Sequence, residues 1–198
     1  MDNTIAYYEK NTERFVADTE NVILSGIQDK FLSYLKEDAL ILDFGCGSGR
    51  DTKYFMSKGY TVEAADGSAK MCELASQYTG IHVRHMMFSE LKERDKYDGI
   101  WACASILHLQ KDKLKTVLIK MSEAIKKSGC IYVSFKYGSY EGFRNGRYFT
   151  DFTEDSFNGF ISDVAYLRIV EEWISGDSRP DRGEEKWLNV ILKKLNTI

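Results

Sequence analysis

Short apolar runs alternate with segments of helical periodicity along most of the chain. The runs are too short for buried helices and suit strands that are covered on both faces. The longer segments repeat apolar residues at helical spacing, and Leu114, Val117, Leu118 and Met121 share one face in this way. The pattern predicts strands at 39–44, 60–66, 81–86, 97–105 and 130–138, and helices at 4–17, 21–36, 51–58, 68–78 and 112–127.

The remainder of the chain follows a different pattern. A polar and aromatic loop is expected over 138–152, then a short helix over 153–162, and then strands at 168–175 and 186–195 with no helix between them. Alternating strands and helices indicate right-handed crossovers and a parallel sheet. A last strand that is reached by a short loop runs antiparallel to its neighbour. The expected fold is a single doubly wound α/β domain over 1–198, mostly parallel, with helices on both faces.

Composition narrows the class of protein. Of the 198 residues 43% are hydrophobic and 29% are charged, as in globular domains, and the net charge of -3 does not suit a non-specific nucleic-acid binder. We find no apolar run that could span a bilayer and no signal-peptide core near the N-terminus, so no membrane association is expected. The four cysteines are widely spaced, which predicts free thiols in a reducing compartment, the cytoplasm.

A glycine-rich loop follows the first predicted strand. In ILDFGCGSGRD, the glycines Gly45, Gly47 and Gly49 alternate with other residues, directly before a predicted helix. Glycine permits positive φ and a close approach of ligand to backbone, and a helix N-terminus offers free N–H groups. Asp66 ends the second strand about twenty residues on, where a carboxylate can hold the ribose hydroxyls of an adenosine-type cofactor. The alternative is a tight turn that binds nothing.

These residues carry a resemblance to a known family. The stretch ILDFGCGSGRDTKYFMSKGYTVEAADGSAKMCELA, with YDGIWACASILHL later, resembles class I S-adenosylmethionine-dependent methyltransferases. The small bacterial type that is similar to tellurite-resistance methyltransferases matches best, over nearly the whole chain. The resemblance implies a Rossmann-like seven-stranded sheet with an antiparallel C-terminal strand, and S-adenosylmethionine as cofactor. It also implies an N-terminal helical lid over 1–36, which Tyr7, Tyr8 and Phe15 would close; the alternative is that these rings only pack the helix onto the domain.

The resemblance further implies the cofactor contacts. Asp43 and the glycine loop would hold the methionine part, and Asp66 the ribose. Arg14 or Arg50 would pair with the cofactor carboxylate. The cofactor-binding residues implied in this way are Tyr8, Arg14, Asp43, Gly45, Cys46, Gly47, Gly49, Arg50, Asp66, Gly67, Ser68, Met71, Met87, Phe88, Ala102, Cys103 and Ala104.

One position departs from the family pattern. The family usually has an acid after the third strand, which accepts a hydrogen bond from the adenine amino group, and Met87 stands there in this chain. Backbone groups of Met87 and Phe88 remain available in principle, and Glu90 is a nearby substitute. Losing one such hydrogen bond would weaken cofactor binding by about 1 kcal/mol without abolishing it.

Methyl transfer requires an in-line nucleophile and needs a base only when that nucleophile must lose a proton. His108 follows the fourth predicted strand and is the candidate base, although a histidine there could simply order its loop. His82 and His85 have the spacing of a weak metal motif, but we find no third ligand and expect no metal site.

Two segments, 136–152 and 175–187, combine arginines with aromatic residues and are candidate substrate loops. Arginine binds carboxylate or phosphate groups through paired hydrogen bonds, which suggests a small anionic or aromatic acceptor. The alternative is that the arginines pair with acids of the same loops. The candidate substrate-binding residues are Tyr137, Arg144, Arg147, Tyr148, Arg179 and Arg182.

The sequence therefore favours an enzyme that methylates a small-molecule acceptor. A nicotinamide-dependent oxidoreductase is the second interpretation, against which the GxGxG spacing and the terminal antiparallel hairpin both argue. The third is a non-catalytic module that binds S-adenosylmethionine or S-adenosylhomocysteine. A nucleic-acid substrate is not expected, and the pattern does not specify the oligomeric state.

Overall fold

The computed structural model describes residues 3–19, 22–164, 166–179 and 182–195, which form a seven-stranded sheet with helices on both faces and a separate two-stranded hairpin. The helices are α1 Asn3–Lys10, α2 Thr12–Thr19, α3 Ser25–Leu32, α4 Arg50–Ser57, α5 Ala69–Thr79, α6 Lys111–Ala124 and α7 Glu154–Ser162. The strands are β1 Leu40–Phe44, β2 Thr61–Asp66, β3 Val83–His85, β4 Tyr97–Ala102, β5 Ile125–Lys136, β6 Glu141–Arg144, β7 Arg147–Thr150, β8 Leu167–Gly176 and β9 Lys186–Lys194.

The large sheet has the strand order β3-β2-β1-β4-β5-β9-β8. Strands β1 to β5 pair in parallel, and β9 runs antiparallel between β5 and β8. This confirms the predicted fold class. The order reverses beside β1, between β2 and β4, and ligands of such sheets bind at the carboxyl ends of the strands at that point.

Aromatic side chains fill one side of the sheet. Trp101 of β4 stacks on Tyr132 of β5, with 4.0 Å between the ring centroids, and Phe31 of α3 and Phe55 of α4 pack against the same indole at 5.2 Å. On the other side, the apolar face of α6 packs with Phe135, Phe152 and Phe157 in a second buried cluster. The sheet is thus covered on both faces, as the apolar strands require.

The segment 138–152 was wrongly predicted to be a loop. It contains the antiparallel hairpin of β6 and β7, which turns at Asn145 and Gly146 with φ of 49° and 80°. Two consecutive residues with positive φ form the turn that matches the twist of a hairpin, and Asn-Gly is its preferred sequence. The dipeptide was therefore a usable signal in the sequence.

The helices near the N-terminus are shorter than predicted. The expected helix over 4–17 is interrupted at Asn11, whose side-chain amide donates to the Tyr7 carbonyl at 2.8 Å. Side chains of this kind compete with the helical backbone for partners. The expected helix over 21–36 is reduced to α3, and part of its range lies outside the described residues.

Helix α1 crosses the carboxyl end of the sheet. At one end, the Ser68 hydroxyl at the start of α5 donates to the Glu9 carboxylate at 2.8 Å. At the other, the Tyr148 backbone N–H of β7 donates to the Thr4 hydroxyl at 3.1 Å. Two elements that are remote in sequence are joined in this way by one helix. No helix of the described segments is long and apolar enough to cross a membrane.

Candidate active site

A cavity of about 510 Å³ lies between the carboxyl ends of the strands and the helices α1 and α2. This volume is within the range of small-molecule sites, roughly 300–1,000 Å³. Its wall includes Gly47 and Asp66 on the β2 side of the sheet, and Arg147, Arg179 and Asn189 on the β9 side. A single space therefore joins the glycine loop with two arginines, Arg147 and Arg179, and with Asn189 of β9.

The glycine loop requires glycine for two reasons. Gly45, Gly47 and Gly49 have φ of 85°, 54° and 85°, a region that other residues rarely adopt. In addition, a Cβ on Gly45 would lie 2.5 Å from the Cβ of Ser105, so a side chain cannot fit without moving the wall. At Gly47 the nearest atom to such a Cβ is in the Phe15 ring at 3.5 Å. The backbone thus lines the cavity directly.

Asp66 connects this loop with α5. Its carboxylate accepts the backbone N–H of Gly47 at 2.9 Å and that of Ser68 at 2.8 Å. Burial raises the pKa of Asp66, while the hydrogen bonds from Ser68 and Gly47 oppose that rise. Because the residue also lines the cavity, an acceptor of hydrogen bonds faces any ligand bound beside the loop.

Asp43 and Asp51 lie beneath the loop. Asp43 accepts the Thr52 hydroxyl at 2.6 Å, and burial together with the neighbouring Asp51 raises its pKa. Asp51 accepts two hydrogen bonds from Arg50 at 2.8 and 3.1 Å and one from the Trp101 indole at 2.8 Å. The charge of Arg50 is consequently balanced by Asp51, although its side chain reaches the cavity wall.

Met87 lies at the β3 side of the cavity and is 37% exposed. Its backbone N–H donates to the Glu90 carboxylate at 2.7 Å, so this group is already used. A Cβ on Gly67 would lie 2.7 Å from the Ile5 side chain and 3.3 Å from the Met87 sulfur. Ile5 therefore packs closely over Gly67, with Met87 beside it, and all three residues line the cavity.

The end of β4 is held in an uncommon conformation. Ala104 has φ of 48°, and its backbone N–H donates to the Ser134 hydroxyl at 2.8 Å. The Ser105 hydroxyl donates to the Phe44 carbonyl at 2.7 Å. Burial raises the pKa of Cys103 to about 12, which keeps this thiol protonated at neutral pH. Residues that are held in rare backbone conformations concentrate at functional sites.

His108 forms hydrogen bonds through both ring nitrogens. Nδ1 lies 2.6 Å from the Tyr148 carbonyl oxygen, and Nε2 lies 2.9 Å from the Tyr8 hydroxyl. A carbonyl only accepts, so Nδ1 carries the proton and Nε2 of the neutral ring accepts from Tyr8. Burial raises the pKa of Tyr8, which keeps the hydroxyl protonated, while Arg147 opposes the rise and donates to the same oxygen at 3.4 Å.

Most of the loop arginines are paired with acids of their own segments. Arg144 pairs with Asp151, Arg182 with Glu185 at 3.4 Å, and Arg179 with Asp177 through hydrogen bonds of 2.9 and 2.5 Å. Arg147 differs, because it forms no ion pair with any described residue and its guanidinium lies over aromatic rings. Its positive charge on the cavity wall is therefore not balanced locally.

The structure brings many of the predicted site residues together. Those that line the cavity are Tyr8, Gly45, Cys46, Gly47, Arg50, Asp66, Gly67, Met71, Met87, Phe88, Cys103, Ala104, His108, Arg147, Arg179 and Arg182. Those outside its lining are Arg14, Asp43, Gly49, Ser68, Ala102, Tyr137, Arg144 and Tyr148. Arg14 points to solvent rather than to the cavity: its side chain is 83% exposed and pairs with Asp18 at 3.9 Å.

Sequence reasoning did not identify Ser134 and Asn189 as site residues. Both line the cavity, and the buried Asn189 side chain accepts the Tyr132 hydroxyl at 2.7 Å and donates to the Ser175 hydroxyl at 3.0 Å. Each is a single polar residue within an apolar strand run. That isolation was the available signal, because buried polar groups in strands need a specific partner.

Comparisons with known proteins agree with this geometry. Residues 41–129 match the family model of a methyltransferase domain. No curated protein matches the chain. Many solved structures are similar in fold, and three of them illustrate the range of activities.

The first is the 1,6-didemethyltoxoflavin-N1-methyltransferase of Burkholderia thailandensis, whose structure holds 1,6-didemethyltoxoflavin and S-adenosylhomocysteine. Its sequence is 22% identical and the TM-score is 0.78. The match covers 97% of this chain and 85% of that one. The second is a TehB-like S-adenosylmethionine-dependent methyltransferase of Corynebacterium glutamicum, 19% identical with a TM-score of 0.70, covering 96% and 99%.

The third is the cyclase SpnF, 11% identical with a TM-score of 0.75, covering 96% of this chain and 94% of that one. At such identities the likeness establishes the fold, and folds of this kind host several chemistries. The family model adds the type of domain. Residues 41–129 are therefore similar to a methyltransferase domain, within a chain that has the fold of the S-adenosylmethionine-dependent methyltransferases named above.

Proposed function

We propose that the protein transfers the methyl group of S-adenosylmethionine to a small anionic acceptor. One observation carries the proposal, namely that a single cavity joins the glycine loop and Asp66 with the unbalanced charge of Arg147. The cofactor and the acceptor would then lie in one space, which is what a direct transfer between them requires.

The residues of the cofactor half fit S-adenosylmethionine. The open backbone at Gly45 and Gly47 admits the methionine part, and the Asp66 carboxylate is an acceptor for ribose hydroxyls. Ile5 and Met87 line the cavity beside Gly67 and offer apolar contacts to the adenine ring. The bound cofactor supplies a methyl group on a positively charged sulfur, which becomes neutral on transfer and needs no acid.

The acceptor half offers a positive charge among aromatic rings. Arg147 lies over Tyr7 at 4.7 Å and over Phe149 at 5.2 Å, and it lines the cavity together with Tyr8 and His108. We assign the anionic group of the acceptor to Arg147 rather than to Arg144, Arg179 and Arg182, each of which already pairs with an acid. The toxoflavin enzyme of similar fold, which holds a small-molecule substrate, supports an acceptor of this size.

The chain itself contributes positioning and exclusion of water. Helices α1 and α2 cover the cavity through Ile5, Tyr8 and Phe15, so we assign a lid to the N-terminal segment 1–36 of a single domain 1–198. The segments 136–152 and 175–187 close the opposite side, although residues 180 and 181 lie outside the described part. A closed, water-free site holds the reacting atoms in line and lowers the barrier to transfer.

Calorimetric titration tests the cofactor half. We expect S-adenosylmethionine and S-adenosylhomocysteine to bind with micromolar affinity and NAD to show no heat. Binding of NAD instead would favour an oxidoreductase, and silence from both adenosyl compounds would refute the proposal.

The acceptor half is tested on the S-adenosylhomocysteine complex. We expect m-hydroxybenzoate to bind and its uncharged amide to bind at least about tenfold more weakly, because a charged hydrogen bond contributes about 1.5–3 kcal/mol. Arg147→Met should remove the preference for the anion. Arg168→Met, an exposed arginine of β8, is the matched control and should retain it. Equal binding of acid and amide to the unmodified protein would contradict an anionic acceptor.

A further inference from the structure

We infer that Tyr8 and His108 form a proton relay, and that the acceptor therefore presents an N–H, O–H or S–H group to the methyl donor. The inference rests on the proposed function and names a property of the acceptor that this function leaves open. Acceptors whose nucleophilic atom has no proton, such as a thioether or a pyridine nitrogen, would have no use for such a relay.

The relay follows from the direction of the hydrogen bonds. The Tyr148 carbonyl fixes the proton of His108 on Nδ1, at 2.6 Å, so Nε2 presents a lone pair to the Tyr8 hydroxyl at 2.9 Å. Tyr8 thus donates its hydroxyl proton to His108, and the lone pairs of the Tyr8 oxygen remain available to accept hydrogen bonds from other groups. Because Tyr8 and His108 both line the cavity, that oxygen can accept a proton from a ligand there.

One of the charged groups that face the pair favours this movement of charge. Arg147 of β7 donates to the Tyr8 oxygen at 3.4 Å and stabilises negative charge on it. Asp66 of β2 and Tyr7 of α1 disfavour negative charge on Tyr8 and raise its pKa, and burial raises that pKa most strongly. Phe149 packs edge-on against the His108 ring at 4.8 Å and holds its orientation. The arrangement resembles a base oriented by a fixed partner.

The balance of the step is simple. The nucleophilic atom of the acceptor forms a bond to the methyl carbon as the bond from that carbon to sulfur breaks, and the electron pair remains on sulfur. The proton of the acceptor passes to the Tyr8 oxygen while the former Tyr8 proton passes to Nε2 of His108. Tyr8 ends as it began, and His108 ends as an imidazolium that releases its proton to solvent.

Nitrogen NMR of histidine-labelled protein tests the relay without any acceptor. In the S-adenosylhomocysteine complex at neutral pH, we expect a protonated Nδ1 and an unprotonated Nε2 for His108, identified by the signals that His108→Gln removes. Tyr8→Phe should shift the Nε2 signal, and Tyr78→Phe, which alters an exposed ring, should not. A proton on Nε2, in either the neutral or the doubly protonated ring, would overturn the inference.

Kinetics with defined probes supply the second test. The probes are m-hydroxybenzoate with an O–H, orotate with an N–H, and nicotinate, whose ring nitrogen carries no proton. We expect turnover only of the first two. Tyr8→Phe and His108→Gln should lower kcat by about 10²–10⁴-fold, the usual contribution of acid–base catalysis. His82→Gln, an exposed histidine, is the control and should leave kcat unchanged.

The pH profile separates a relay from a structural role. For the unmodified protein, kcat should fall at low pH as His108 becomes protonated, and His108→Gln should lack that limb while still binding S-adenosylhomocysteine. If the protein methylated nicotinate, and Tyr8→Phe did not change the rate, the relay would be refuted while the proposed methyltransferase function would stand. Failure of all probes, with S-adenosylmethionine bound, would count against the anionic acceptor, and the NMR result would still decide the relay.

Discussion

The carboxylate of Asp66 accepts the backbone N–H of Gly47 at 2.9 Å, which ties the end of β2 to the middle of the glycine loop. The same carboxylate accepts the N–H of Ser68 at 2.8 Å, so one side chain holds two backbone segments of the cavity wall. A single residue therefore both shapes the loop and lines the cavity.

Replacing this residue should weaken cofactor binding. We expect Asp66→Ala to lower the affinity for S-adenosylmethionine by about tenfold to a hundredfold, because hydrogen bonds to a charged group are lost. Calorimetry measures the affinity, and urea unfolding checks that the variant is folded. Asp112→Asn, an exposed acid of α6, is the control. Unchanged affinity in Asp66→Ala would remove this residue from the cofactor site.

Gly45 and Gly59 offer a matched pair of substitutions. Both have positive φ, 85° and 90°, but a Cβ at Gly59 would meet open space whereas one at Gly45 would meet Ser105 at 2.5 Å. Both alanine variants should lose about 1–2 kcal/mol from backbone strain alone. Gly45→Ala should lose more in urea unfolding and should also bind S-adenosylhomocysteine more weakly. Equal losses would mean that the wall at Ser105 adapts freely.

The buried pair of Asp51 and Arg50 should matter far more than an exposed one. We expect Asp51→Asn to lower the free energy of unfolding by about 3–5 kcal/mol, because it leaves the Arg50 charge without its partner. Glu171→Gln breaks the half-exposed pair that Glu171 of the edge strand β8 forms with Lys30. It should lower the free energy of unfolding by at most about 1 kcal/mol. Urea unfolding of both variants checks the contrast, which similar losses would contradict.

Asp177 should make the stability of the protein depend on acid pH. Burial opposes ionisation of this carboxyl, but hydrogen bonds from Arg179 and Trp187 outweigh it and lower the pKa to about 2. The unfolded value is about 3.9, so the contribution is complete above that pH and is lost as the pH falls toward 2.

Unfolding in urea at pH 7 and pH 3 measures this effect. The difference in stability between the unmodified protein and Asp177→Asn should shrink at pH 3, because the unfolded chain takes up a proton at this carboxyl while the native protein still holds it largely ionised. Asp163→Asn, at an exposed position, supplies the baseline. If the difference in stability between the two proteins grew as the pH fell, the result would contradict a lowered pKa of Asp177 in the folded protein.

Much of the fold could be predicted because its pattern is local. Apolar runs and helical stripes predicted the sheet of β1 to β5, and the absence of a helix between β8 and β9 predicted the antiparallel pairing. The hairpin of β6 and β7 was missed because its strands, EGFR and RYFT, lack the regular alternation of apolar and polar residues that marks a half-buried strand. Its partners are α1 and the loop at His108, which no local pattern reveals.

The site was predictable where backbone geometry dictates residue type. Spacing predicted that Gly45, Gly47 and Asp66 meet at one edge of the sheet, and all three line the same cavity, with φ at the two glycines that favours glycine. Spacing could not tell which arginine is unpaired. Arg179 and Arg144 find acids two and seven residues away, whereas Arg147 faces Tyr7 and Phe149, and only the folded arrangement distinguishes these outcomes.

Helix α1 has a consequence for how ligands enter and leave. It is eight residues long, too short to persist alone in water, so it docks or detaches as one unit. Glu9 fastens it beside Ser68, and the preceding residue, Tyr8, fastens it to His108. A ligand on the β2 side that holds α1 in place also holds Tyr8 beside His108, so we expect each ligand to raise the affinity for the other beyond what direct contact between them contributes.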